Sequence, residues 1–178
     1  MTRAGRRAAL AALTGLALAL ASGCATRPTA EPGWISGKLA LRVDATASEA
    51  AQSLSTDFDL RGDAQAGELR LSTPLGTVIA LARWAPGRAS LQTSDGEKPF
   101  ADLDALAQET LGVAVPLRAL PDWLHGQPWS GAPSTPEGRG VFEQLGWRID
   151  VARYGEGWLE VSRAAAPAVR LRARLEKS

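Results

Sequence analysis

The sequence is poor in the residues from which most catalytic and metal centres are built. Its 178 residues include one cysteine, Cys24, and one histidine, His125. A single thiol supports neither a disulfide framework nor a cysteine zinc site. A lone histidine beside Gly126 reads as a helix-end or surface residue, and Cys–His and Ser–His–Asp arrangements go with it. No glycine-rich loop follows a strand pattern, so no nucleotide site and no cofactor are expected. The charges nearly cancel, 20 basic against 19 acidic, which argues against a nucleic-acid partner. The apolar run from Ala8 to Ala21 is too short to span a bilayer. Carboxylate pairs do occur at Asp57/Asp59 and Asp102/Asp104. The first alternates on a polar strand face and the second suits a helix start, but a hydrolase using two carboxylates stays open as an alternative.

The first residues read as a targeting segment rather than as fold. Arg3, Arg6 and Arg7 precede the apolar run, and Ala21-Ser22-Gly23-Cys24 follows it. This resembles the lipobox of bacterial lipoproteins, with Ala21 where leucine is preferred. The resemblance implies a signal peptide over 1–23, cleavage before Cys24, and acylation of its sulfur and new amino group. More than one acyl chain makes a stable anchor. By resemblance to Gram-negative lipoproteins, Ala25 rather than aspartate implies sorting to the outer membrane, on its periplasmic face. Residues 24–33 then form a lipidated tether rich in proline. Losing residues 1–23 removes three arginines and no acid, taking the formal charge from +1 to −2.

From Trp34 onward the apolar residues mostly alternate, which predicts antiparallel strands. Leu39, Leu41 and Val43 share one face; Leu54, Thr56, Phe58 and Leu60 share the next. Glu68–Thr73 and Val78–Trp84 read as a hairpin closed by Thr73-Pro74-Leu75-Gly76. Proline pre-sets the second turn position and glycine accepts positive φ. Leu75 is left at the tip, either as an ordinary exposed leucine or as an apolar finger for a membrane or partner. Arg88–Thr93, Trp147–Val151, Trp158–Ser162 and Val169–Leu175 continue the pattern. Asp102 caps a predicted helix whose Leu103, Leu106, Ala107 and Leu111 share a face, ended by Gly112. Pro116–Gly126 reads as a second helical piece and Gln127–Arg139 as a loop. The expectation is a mainly β fold, an incomplete antiparallel barrel with short helices covering its apolar face. Among six tryptophans, Trp84 and Trp147 read as core, whereas Trp34, Trp123 and Trp129 suit a cavity rim or membrane interface.

These residues carry a family resemblance. Trp34 with Gly37-Lys38-Leu39-Ala40, Phe58, and Leu69/Leu71 leading into Pro74-Leu75-Gly76 are followed by Gly112, Pro116, Leu120-Pro121, Trp123-Leu124, Gly126 and Pro128. Gln144, Gly146-Trp147 and Ile149 complete the set. The pattern resembles the LolB family, outer-membrane lipoproteins that receive other lipoproteins and insert them. Leu60 departs from it, standing where the family usually has tryptophan. The resemblance implies one domain over 34–178 with a helical lid at about 100–126, no enzymatic activity, and a monomer. It implies partners in a LolA-like periplasmic carrier, client lipoproteins and outer-membrane lipid. Leu75, with Pro74 and Gly76, would engage the bilayer. The acyl chains of clients would lie against Leu39, Leu41, Phe58, Leu69, Leu71, Leu91, Leu103 and Leu106. A structural lipoprotein scaffolding an envelope assembly machine is the competing expectation.

Overall fold

The computed structural model describes residues 33–47, 50–112 and 115–176. The expected signal peptide, the acylation site Cys24 and the tether up to residue 32 lie outside the described residues, as do Val113 and Ala114 within the expected lid.

Among the described residues, eleven strands form one sheet in the order β6-β5-β4-β3-β2-β1-β11-β10-β9-β8-β7. They are β1 (Ile35–Val43), β2 (Gln52–Gly62), β3 (Gly67–Ser72), β4 (Val78–Ala85), β5 (Arg88–Thr93), β6 (Gly96–Phe100), β7 (Ser134–Gly138), β8 (Val141–Gln144), β9 (Trp147–Asp150), β10 (Trp158–Arg163) and β11 (Val169–Leu175). Two meanders, β1–β6 and β7–β11, are joined because β1 pairs antiparallel with β11, Leu39 opposite Ala173 and Leu41 opposite Leu171. The sheet is open: β6 and β7 are its two edges. The connection between those edges carries α1 (Leu103–Leu111) and α2 (Leu120–Leu124). The predicted incomplete barrel with helical cover is thus the observed architecture.

Alternation explains the core. Leu39 and Val43 of β1, Thr56, Phe58 and Leu60 of β2, and Leu171 and Ala173 of β11 are buried, while Lys38, Ala40, Arg42, Arg170, Arg172 and Arg174 are exposed. Gly37 is required by packing: a Cβ there would come within 3.0 Å of the Phe58 ring and closer still to the Arg174 carbonyl. The first helix prediction holds at both caps, whereas the second piece, expected over Pro116–Gly126, is helical only at Leu120–Leu124. The Asp102 carboxylate accepts from the Ala105 N–H at 2.9 Å, and Gly112 closes the helix at φ 66°. Leu103, Leu106 and Ala107 are its buried face.

Three strands escape the periodicity. Gln127–Arg139 is not all loop, since β7 lies within it, and β6 and β8 are further strands the alternation did not indicate. β6 and β7 are edges: they contain Pro99 and Pro136 and expose nearly every side chain, so they show no apolar alternation. Trp123 also departs from expectation. It is fully buried rather than on a rim.

Candidate functional site

The β3–β4 hairpin ends in a three-residue loop. The Gly76 N–H donates to the Thr73 carbonyl at 2.8 Å, and the Thr73 N–H donates to the Thr77 carbonyl at 2.8 Å. Gly76 takes φ 84°, the left-handed position that follows such a turn. Pro74 and Gly76 therefore fix the tip, and Leu75 projects from it with 95% of its surface exposed. Directly behind it the ladder slips by one residue between Leu71 and Ser72, where Ser72 pairs with Val78 and Leu71 with Ala80. Ile79 is the extra residue, and Val78 and Ile79 are exposed as well.

Beside this tip the concave face is apolar but incompletely covered. Leu41 pairs with Leu54, Phe58 with Leu71, Leu60 with Leu69, and Ala82 with Leu91. Phe58, Leu60 and Ala82 are buried, whereas Leu41, Leu54, Leu69, Leu71 and Leu91 are only half-buried. Of the eight expected acyl-site residues, Leu39, Phe58, Leu103 and Leu106 sit in the core, and Leu41, Leu69, Leu71 and Leu91 are partly buried against it. All six strand residues share one face, and α1 lies over its β5–β6 side, held by an ion pair from Lys98 of β6 to Glu109.

The other part of the cover is clamped by a residue whose role the periodicity does not reveal. Gln144, 1% exposed, satisfies its whole amide. Its Oε1 accepts from the Trp123 indole at 2.8 Å and from the Trp129 N–H at 2.9 Å. Its Nε2 donates to the Trp129 and Ala132 carbonyls, each at 2.7 Å. This joins α2, the following loop and β8, and it explains why Trp123 is interior. The Tyr154 hydroxyl adds a bond to the Leu124 carbonyl at 3.1 Å, and burial pushes that phenol's pKa up. His125 turns its Nδ1 to the Pro121 carbonyl at 2.8 Å, an ordinary helix-end contact.

The outer face holds a charge cluster. Trp34, expected at a rim, is stacked outside the sheet between Arg61 and Arg70, whose guanidinium carbons lie 4.6 and 5.0 Å from its ring centre. The Glu68 carboxylate meets Arg61 and Arg70 at 3.1 Å and Arg83 at 3.6 Å. Burial pushes its pKa up, but the three guanidiniums outweigh that and hold it below 4.5. Asp57 and Asp59 are occupied by Lys38 at 2.8 Å and the Ser36 hydroxyl at 2.6 Å. Among the described residues there is no cluster of three metal-ligating side chains. Trp84 and Trp147 are core, as expected.

Residues 34–175 match the family model described as outer membrane lipoprotein LolB. The chain is 37% identical over 160 residues to the outer-membrane lipoprotein LolB of Bordetella petrii, covering 82% of this chain and 80% of the relative. It is 34% identical over 152 residues to that of Bordetella pertussis, 78% and 76% of the two chains. To that of Chromobacterium violaceum it is 32% identical over 153 residues, 79% and 81%. An open antiparallel sheet under short helices, a proline–glycine hairpin with a bare leucine at its tip, and these matches over nearly the whole domain agree: the chain belongs to the LolB family of outer-membrane lipoproteins.

Proposed function

We propose that this protein takes lipoproteins from a LolA-like periplasmic carrier, holds their acyl chains against its concave face, and inserts them into the outer membrane. The observation that carries the reading is the juxtaposition of half-buried Leu41, Leu54, Leu71 and Leu91 with the bare Leu75 tip at one end of the sheet. An apolar lane that its own cover does not fill is suited to an apolar ligand. Each methylene brought into water costs about 0.8 kcal/mol, so a sixteen-carbon chain released unaided faces a barrier of about 12 kcal/mol. A continuous apolar path from carrier to cavity to bilayer avoids that intermediate. No covalent change takes place, and transfer runs down a gradient of affinity.

Cys24 is the proposed anchor, and Pro74 and Gly76 hold Leu75 as the element that engages the bilayer. Leu39, Phe58, Leu103 and Leu106 form the floor of the acyl site; Leu41, Leu69, Leu71 and Leu91 form its adaptable wall. The tether joins the domain at Trp34, the opposite end of β1 from the Leu75 tip. Nine residues fully extended reach about 30 Å, close to the length of β1 itself, so the domain lies over on its tether when Leu75 meets the membrane.

A fluorescent fatty-acid analogue titrated against the unlipidated domain tests the acyl site. Saturable binding that weakens in Leu71→Glu is the expected result. No saturable binding would move the protein to the scaffold reading.

A further inference from the structure

All four large apolar side chains exposed among the described residues, Leu75, Val78, Ile79 and Leu145, lie at one end of the sheet, where β1, β3, β8 and β10 finish. Charged turns occur at both ends, Asp95 at this one and Asp63, Arg139, Arg153 and Glu156 at the other. Leu145 is the unexpected member. It and Gly146 form a two-residue turn between Gln144 and Trp147, with φ 56° and 75°. Positive φ at both positions is the hairpin geometry that favours Asn-Gly. Leucine has no side-chain bond to ease that conformation, and its Cβ is crowded there. Burial does not compensate, since Leu145 is 47% exposed. Its stalk is rigid, because Gln144 and Trp147 are both buried. An apolar side chain held out at a strained tip points to a contact outside the fold.

Between the two tips in the strand order lies a cleft of about 530 Å³ where β1, β11 and β10 meet, lined by Arg42, Asp44, Ser162, Arg163, Ala168 and Arg170, among others. Three arginines and Asp44 are among its lining residues. Arg42 is paired to Asp44 at 3.0 Å and Arg170 to Glu160 at 3.4 Å. Arg163 has no carboxylate partner among the described residues. It donates to the Pro167 carbonyl at 3.3 Å, its guanidinium lies 5.4 Å from the Trp147 ring centre, and its Nε is buried with no acceptor. Apolar tips on either side of a basic cleft complement a bilayer whose headgroups are anionic.

We propose that this end of the sheet docks an anionic phospholipid bilayer at two apolar points, Leu75 and Leu145, with the arginine cleft between them taking a headgroup phosphate. The proposal rests on the membrane-finger reading of Leu75 and extends it. One point of contact leaves the domain free to swivel. Two points fix its tilt and aim the open part of the concave face at the acceptor leaflet.

The test places nitroxide labels on the full-length lipidated protein in vesicles containing phosphatidylglycerol, using Leu75→Cys, Leu145→Cys and, at the opposite end, Arg139→Cys. Accessibility to oxygen against a nickel chelate reads depth at each site. Labels at 75 and 145 are expected within the bilayer and the label at 139 in water. A label at 75 that is immersed while that at 145 is aqueous overturns two-point docking and leaves the finger standing. Two aqueous tips overturn both. The headgroup site is read by the same label at 145 in Arg163→Gln, and in Arg42→Gln should the first variant not fold, and in vesicles of phosphatidylcholine alone. Immersion is expected to become shallower in each case; unchanged depth would overturn the arginine cleft.

Discussion

The two halves of the concave face use the same chemistry and are packed differently. On β8–β11, Phe142, Trp147, Ile149, Leu159, Val161 and Ala173 are all buried. On β2, β3 and β5, Leu54, Leu69, Leu71 and Leu91 face the same side and stay half-exposed. The difference lies in the cover. The first half ties down the α2 segment through the four bonds of Gln144 and the Tyr154–Leu124 bond. The second is covered by α1 on its β5–β6 side only, through Leu103, Leu106 and Ala107. An apolar face is therefore not the same thing as a packed one. The rigid half holds the shape, and the loose half keeps apolar surface available beside Leu75.

The largest effect that would sharpen this contrast is on packing. Ile149→Ala should cost about 4 kcal/mol in denaturant unfolding, as a fully buried deletion does. Leu71→Ala should cost about 1.5 kcal/mol, because its side chain is only partly buried, while weakening acyl binding. Equal costs at the two positions would break the comparison. Gln144→Leu, which strands the Trp123 and Trp129 N–H groups, should lose about 3 kcal/mol. It should also speed hydrogen exchange across α2.

Smaller effects come from charge and strain. Glu68 has a folded pKa below 4.5, so its contribution is present above about pH 4.5 and is lost as pH falls through the lower folded value. Glu68→Gln should remove about 1 kcal/mol at neutral pH and flatten the acid limb of stability against pH. A variant with an unchanged acid limb would show the cluster to be decorative. Leu145→Asn should raise stability by about 0.5 kcal/mol, since asparagine tolerates the left-handed turn, while reducing delivery to vesicles. A gain in stability with no loss of delivery would make Leu145 a mere turn residue.

Much of this was legible in the sequence. Alternation revealed the meander from Leu39 to Leu91 and the last two strands, because one face is wet and the other apolar. Pro74 and Gly76 announced the hairpin, and Asp102 and Gly112 bounded α1 correctly. What stayed hidden depends on partners far along the chain or on edges. β7 carries Pro136 and Gly138 and buries nothing. Trp123 is interior only because Gln144, 21 residues away, receives its indole. Leu145 has no signature in the sequence; what distinguishes it is positive φ together with exposure. Half-burial at Leu41, Leu69, Leu71 and Leu91 has no signature in periodicity, which marks a face and not its coverage.

The central claim is that the protein accepts acyl chains on one surface and releases them through another, and Leu75→Glu tests it most directly. Its 95% exposure means the change should leave folding within about 0.5 kcal/mol. Transfer is measured in two steps, from carrier to purified variant and then from variant to liposomes. Normal uptake with failed delivery is the predicted result, because a bilayer rejects the charge. Impaired uptake with intact delivery, or an unfolded variant, would contradict it.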